Sequence, residues 1–137
     1  MVDTDKPPLE GTLSLRSLAM PADTNPAGDI FGGWLLSQMD IAGALAAKKI
    51  CHCRVVTVGI NAMTFHQPVF VGDVVCCYTD VKKMGTTSVT VKVQVWSVRD
   101  NYSSERILVT EGLFTYVAIG EDRKPIPIQP EQRVSQK

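Results

Sequence analysis

The sequence predicts an α+β domain in which a five-stranded antiparallel sheet wraps round one long central helix. Its 137 residues are enough for one hydrophobic core. One long apolar stretch, 33–50, is rich in alanine and leucine and is the only helical candidate. Four β-rich segments then follow with short links, which favours antiparallel pairing because parallel pairs need long crossovers.

The predicted order of elements is β-α-β-β-β-β. Residues 11–20 alternate apolar and polar side chains, which indicates a first strand with Leu13 and Leu15 on one face. Turn-forming residues fill 21–33 and precede the helix. The later strands are predicted at 54–66, 73–84, 87–99 and 106–119, and the clearest period of two is that of Val89, Val91, Val93 and Val95.

We place the domain at residues 11–120, between a flexible N-terminus (1–10) and a flexible C-terminal tail (121–137). Beyond Glu121 the chain becomes polar and carries Pro125, Pro127 and Pro130. This composition favours a loosely attached segment.

Composition argues against several classes of function. The 14 basic and 14 acidic residues balance without a basic run, so neither nucleic acid nor a membrane surface is an expected partner. No apolar run reaches the ~20 residues of a membrane span, and four cysteines without a disulfide pattern fit a reducing compartment. We therefore expect a cytoplasmic protein.

The segment Cys51-His52-Cys53 has the residue types of a metal site but not the spacing. One intervening residue is fewer than the two to four that usually separate paired ligands, and no second pair follows. We interpret it as the turn that leaves the helix, and we expect no metal site. Adjacent Cys76 and Cys77 should point to opposite faces of a strand.

Asp40 is the most informative residue of the chain. It lies within the apolar stretch, and its helical neighbours at three and four residues, Leu36, Ser37, Gly43 and Ala44, include no cation. Apolar residues occupy nearly every side of this helix, which predicts burial on most sides. Burying an unpaired carboxylate is costly, so such a residue usually has a function.

Several motifs together resemble the bacterial YciA-type acyl-CoA thioesterases, which have the hotdog fold. The resemblance extends over about residues 11–119 and is most specific from Asn25 to Asp40. The motifs are 18–25 (LAMPADTN), 28–34 (GDIFGGW) with Asp40 seven residues after Gly33, 54–58 (RVVTV) and 71–75 (VGDVV). It implies hydrolysis of fatty acyl-CoA to free acid and CoA, with CoA as part of substrate and product and no separate cofactor. It also implies sites at a subunit interface and a trimer of dimers.

Thioester hydrolysis requires a polarised carbonyl and an activated water. Amides at a helix start are unpaired donors, which makes Gly32 and Gly33 candidates for an oxyanion hole, with the Gly33 N–H preferred. From the residues alone, a tight turn explains the glycines equally well; the resemblance favours catalysis. Asp40 then acts as general base, or as a nucleophile that forms a transient anhydride.

The spacing of Gly33 and Asp40 predicts a shared site. Seven residues of helix span about 10 Å, whereas both groups must come within about 3 Å of the reacting atoms. A two-fold dimer in which Gly33 of one subunit faces Asp40 of the other satisfies both conditions. A homodimer is therefore the expected minimal catalytic unit.

Two further sets of residues have a functional and a structural interpretation. Asn25 either forms an Asx turn before Pro26 or orients the water or the carbonyl; the resemblance favours the second. The turn formed by Lys82, Lys83, Met84, Gly85, Thr86, Thr87 and Ser88 offers two cations, a glycine and three hydroxyls for the CoA phosphates, although a solvated hairpin has the same composition. The resemblance places the nucleotide there, and the predicted CoA site also includes Arg54.

Two other functions remain open alternatives. A hotdog acyl-CoA hydratase or dehydratase would place a histidine beside the acid, but neither His52 nor His66 lies on the predicted helix. A non-catalytic acyl-CoA-binding protein would bind without turnover, and would not explain Asp40. A Ser-His-Asp enzyme is disfavoured because no Gly-x-Ser-x-Gly motif occurs.

Overall fold

A computed structural model describes residues 8–99 and 105–129 of the chain. The elements are β1 (Thr12–Leu18), a 3-10 turn (Pro21–Asp23), α1 (Gly32–Cys51), β2 (Arg54–Phe65), β3 (Val74–Met84), β4 (Ser88–Val98) and β5 (Ile107–Ile119). This order confirms the prediction. The largest difference in a boundary, two residues, is at the end of β1.

The five strands form one antiparallel sheet in the order β1-β3-β4-β5-β2. Only β3–β4 and β4–β5 are neighbours along the chain, so hairpins account for half of the pairings and crossovers for the rest. Among the described residues, β2 pairs with β5 alone and forms one edge of the sheet. In the single chain this edge strand is open and apolar, with Val58 exposed at 58% and Val56 and Ile60 also exposed.

Helix α1 packs its buried side on one face of the sheet. Leu35, Met39, Ala42 and Ala47 are buried there among the inward-facing valines of β4. The other side of the helix is open, and Ile41 is exposed at 48%. The prediction that α1 is buried on most sides is therefore wrong for the single chain, because the sheet covers only one side of it.

At Gly43, α1 lies directly against a side chain of the sheet. A Cβ built on Gly43 would overlap the Tyr116 hydroxyl and lie 2.9 Å from Cζ of that ring. The small residues at 42–44 thus serve packing. The group they admit is a tyrosine side chain of β5.

Both ends of the domain differ from the prediction. In β1 a register shift lies between Leu13 and Leu15, so that Leu13 is exposed while Leu15 packs against the core. The Glu10 amide donates to Gln94 (2.9 Å). Near the C-terminus, the Ile128 amide donates to the Thr86 carbonyl (2.8 Å), and its side chain is only 3% exposed.

The described parts of the predicted flexible ends are thus attached to the sheet. Residues 1–7 and 130–137, which belong to the same predicted ends, lie outside the described residues. Within the described part, no helix is long and apolar enough to cross a membrane.

All four cysteines are free thiols. Cys77 lies in the main core and Cys76 in a second cluster on the other face, as the strand prediction requires. Cys51 ends α1, and His52 caps the helix in the left-handed region (φ 54°), which confirms the interpretation of a helix-exit turn. Burial raises the pKa of Cys51 to about 11, so this thiol stays protonated near neutral pH.

Candidate active site

Helix α1 begins without a side-chain cap. The residue before it is Phe31, whose carbonyl accepts the amides of Trp34 (3.1 Å) and Leu35 (3.3 Å). The amides of Gly32 and Gly33 have no acceptor among the described residues. A Cβ on Gly33 would meet nothing within 4 Å. The helix start therefore offers two accessible donors with partial positive charge.

Gly32 lines an open cleft of about 370 Å³. Its walls are the loop before α1, which includes Asn25, and the segment after β2, which includes His66. The two walls are joined where the Ile30 amide donates to the Val69 carbonyl (3.0 Å). The cleft thus brings together two of the predicted site residues, Asn25 and Gly32.

The Asn25 side chain forms the Asx turn that the sequence offered as its structural alternative. Its Oδ1 accepts the amides of Ala27 (2.9 Å) and Asp29 (3.1 Å). These two bonds fix the orientation of the side-chain amide, because a flipped side chain would place its Nδ2 donor against the backbone N–H donors of Ala27 and Asp29. Nδ2 has no acceptor in the described part of the chain. Asn25 can thus make the turn and still donate a hydrogen bond to a ligand.

Asp40 lies in α1, seven residues after Gly33, and is half-buried. Its Oδ1 accepts hydrogen bonds from the Thr57 hydroxyl of β2 (2.7 Å) and the Tyr116 hydroxyl of β5 (3.1 Å). Within residues 8–99 and 105–129 it forms no salt bridge. The prediction of an unpaired buried carboxylate is corrected to a half-buried one with two neutral donors.

Burial of Tyr116, with the nearby carboxylate of Asp40, raises the pKa of this phenol well above its usual range. Tyr116 therefore remains a hydrogen-bond donor at neutral pH. Sequence reasoning missed both hydroxyls. Thr57 lies inside the 54–58 motif, but Tyr116 looks like any core aromatic of a strand.

Asp40 and the helix start face opposite ends of β2. Asp40 contacts Thr57 near the beginning of the strand, whereas a Cβ on Gly32 would lie 3.6 Å from the ring of Phe65 at its end. Helix and strand thus run antiparallel. The offset of about 10 Å along α1 prevents one carbonyl from contacting both groups of one chain.

The predicted CoA-binding turn links β3 to β4. Its amide at Gly85 donates to the Ser88 carbonyl (2.8 Å), which closes the turn. Lys82 is held by carboxylates of Glu10 (2.7 Å) and Asp80 (2.9 Å). Lys83 is exposed and has no carboxylate partner among the described residues. Of the two lysines that the sequence offered as cations of this turn, Lys82 is engaged by carboxylates and Lys83 is available.

Arg54 lies at the same end of the sheet as this turn but does not touch it. The Thr87 carbonyl accepts the Ala118 amide on one side of β5, and Arg54 pairs with Ile119 on the other side. Two strand spacings separate the backbones, about 10 Å. This is also the end at which Asp40 meets Tyr116.

Comparison with known proteins identifies the family. The model of the thioesterase superfamily matches residues 27–103. Over 130 residues the chain is 55% identical to the acyl-CoA thioester hydrolase YciA of Salmonella typhimurium, covering 93% of this chain and 97% of that protein.

Two solved structures are similar over most of the chain. The hexameric thioesterase of Yersinia pestis is 53% identical with a TM-score of 0.83, covering 90% of this chain and 99% of that one. The hexameric hotdog fold thioesterase of Campylobacter jejuni is 44% identical with a TM-score of 0.87, covering 92% and 96%. The chain therefore belongs to the thioesterase superfamily and, within it, to the YciA-type acyl-CoA thioester hydrolases of hotdog fold.

Proposed function

We propose that this enzyme hydrolyses the thioester of acyl-CoA to a free acid and CoA. The relative from Salmonella typhimurium is named an acyl-CoA thioester hydrolase. For this chain, the proposal rests on the uncapped start of α1, where the amides of Gly32 and Gly33 have no acceptor among the described residues. Such donors stabilise the oxyanion of a tetrahedral intermediate. The thiol leaving group has a reference pKa of about 8.5, so its expulsion requires neither a strong acid nor a cofactor.

Each catalytic residue then has a defined task. The Gly33 N–H, assisted by Gly32, polarises the carbonyl, and Asn25 Nδ2 donates to the carbonyl or the water oxygen. Asp40 takes a proton from water, the resulting hydroxide attacks the carbonyl carbon, and the intermediate collapses by expelling the CoA thiolate. Direct attack by Asp40 would form an anhydride instead. A single turnover in oxygen-labelled water distinguishes the routes, because only an anhydride can leave label in Asp40.

The active site is proposed to be shared by two chains. The open edge of β2 can pair with β2 of a second copy about a two-fold axis. The Thr57 end of one strand would then face the Phe65 end of the other, and Asp40 of one chain would approach Gly33 of its partner. The neighbours from Yersinia pestis and Campylobacter jejuni are hexameric, which supports a trimer of such dimers.

CoA recognition is assigned to the sheet end that holds Arg54 and the β3–β4 turn. Arg54 and Lys83 are exposed cations without carboxylate partners among the described residues. The hydroxyls of Thr86, Thr87 and Ser88 add donors suited to phosphate oxygens. The four free thiols fit the reducing cytoplasm as the proposed compartment.

Asp40→Asn tests the reaction, because it keeps the shape of the side chain and removes the base. We expect kcat for short acyl-CoA substrates, measured by release of free thiol, to fall by about 10²- to 10⁴-fold with the melting temperature preserved. Asp80→Asn, on the surface beside Lys82, is the matched control and should retain activity. Near-normal turnover by Asp40→Asn would remove Asp40 from the mechanism.

The same substrate panel separates the two alternatives. Binding of acyl-CoA without thiol release would indicate a binding protein. Conversion of an enoyl-CoA to its hydrated form with the thioester intact would indicate a hydratase.

A further inference from the structure

The contacts of Asp40 are one-sided, and this asymmetry has a function in the proposed reaction. We propose that Thr57 and Tyr116 are positioning residues that hold Oδ1 of Asp40 so that Oδ2 receives the proton from water, and that Gly43 provides the space Tyr116 needs. The inference rests on the proposed role of Asp40 as the base.

Both hydroxyls donate to the same oxygen. Thr57 approaches Oδ1 from β2 (2.7 Å) and Tyr116 from β5 (3.1 Å), and within the described residues no donor reaches Oδ2. Two bonds from different strands restrict rotation of the carboxylate about its side-chain torsions. The unbonded Oδ2 is then presented in a fixed direction, as a general base requires.

Tyr116 is a rigid anchor for this contact. It is 1% exposed, and its ring stacks on Phe114 with 6.5 Å between centroids. Its strand is hydrogen-bonded on both sides, to β4 and to β2. The backbone carbonyl of Asp40 lies 3.0 Å from the same hydroxyl, so the single proton of Tyr116 is shared between that carbonyl and Oδ1 and links the hydroxyl to both the main chain and the side chain of Asp40.

Gly43 lies three residues after Asp40, on the same side of α1. A Cβ there would overlap the Tyr116 hydroxyl and lie 2.9 Å and 3.0 Å from two ring carbons. Glycine inside a helix is destabilising by about 1 kcal/mol relative to alanine. At this position the missing side chain is what allows the Tyr116 hydroxyl to reach Asp40.

The decisive experiment compares Thr57→Val with Thr57→Ser. Valine removes the donor and keeps the shape, whereas serine keeps the donor. We expect Thr57→Val to lower kcat about tenfold with KM for acyl-CoA within about twofold, and Thr57→Ser to restore most of kcat. A purely structural role of Thr57 would not separate kcat from KM in this way.

Tyr116→Phe and Gly43→Ala test the second contact. Phenylalanine removes a donor and leaves no unpaired group behind, so the fold should persist while kcat falls about tenfold. Gly43→Ala should lower kcat similarly by displacing the hydroxyl. Matched controls are Tyr78→Phe and Thr90→Val, whose hydroxyls bond Arg106 and Thr115 away from Asp40; these should retain normal kcat.

The outcomes separate this inference from the proposed function. If Asp40→Asn is inactive while Thr57→Val and Tyr116→Phe keep the normal kcat, the positioning role is refuted and the base stands. A loss in Thr57→Val that serine does not rescue also overturns the positioning role. If Asp40→Asn is active, the proposed function itself fails. Should Tyr116→Phe not fold, the Thr57 pair alone decides.

Discussion

Subunit mixing tests the shared active site directly. Two single variants each remove one half of the site. Asp40→Asn removes the base, and Gly33→Pro removes the amide donor, since proline has no N–H. Proline is tolerated in the first helical turn because that amide has no partner within the helix. Gly33→Ala, which keeps the N–H in a place with open space around it, is the matched control and should retain activity.

The expected magnitude follows from the offset along α1. Asp40 contacts Thr57 at one end of β2, while Gly32 lies against Phe65 at the other, about 10 Å away along the helix. In an equal mixture of the two variants, about half of the dimers are mixed, and each has one intact site and one doubly defective site. Activity should therefore return to about a quarter of the normal value. Each variant alone should stay near or below about 1%.

The assay measures thiol release from a short acyl-CoA after the variants have exchanged subunits. Exchange is verified by native mass spectrometry of variants of different mass. A reciprocal mixture provides the internal check: normal enzyme is mixed equally with the double variant Asp40→Asn, Gly33→Pro. With shared sites about a quarter of the activity remains, and with independent sites about half remains.

Verified exchange without recovery of activity would refute the argument from the helix offset. Each site would then use Gly33 and Asp40 of the same chain. In that case α1 would have to bend or a loop would have to move to bring them together.

Two further predictions concern the charged residues. Lys83→Ala and Arg54→Ala should raise KM for acyl-CoA by about tenfold and leave KM for a short thioester without the nucleotide unchanged; equal effects on both substrates would contradict the assignment to CoA. Glu10→Gln should lower the free energy of unfolding by about 0.2–1 kcal/mol at neutral pH, because hydrogen bonds from Lys82 and Lys92 hold the pKa of the Glu10 carboxyl below its ordinary value. A lowered pKa of Glu10 stabilises the fold at pH values above the unfolded-state value of 4.5, and this stabilisation is lost as the pH falls below it. The difference in free energy of unfolding between the normal protein and Glu10→Gln should therefore shrink at low pH. Denaturation curves at several pH values measure this difference, and a difference that does not change with pH would contradict the prediction.

The sequence by itself determined the elements and their order. Periodicity and turn residues act over short stretches, so the alternation from Val89 to Val95 predicted β4, and the apolar run around Asp40 predicted α1 to within one residue at each end. The same short-range reasoning identified Gly32 and Gly33 as the start of a helix, where backbone amides are unpaired donors. These signals are carried by neighbouring residues and are readable without tertiary structure.

Tertiary structure alone decided which distant residues meet. The strand order with β2 at the edge depends on long-range pairing, which short-range patterns do not encode. The burial of Ile128 against the sheet followed no local signal, since its segment is polar and rich in proline. The Tyr116 hydroxyl reaches Asp40 across 76 residues of sequence, and only because Gly43 leaves room. Such contacts arise from packing in three dimensions, where a side chain's role is set by what faces it.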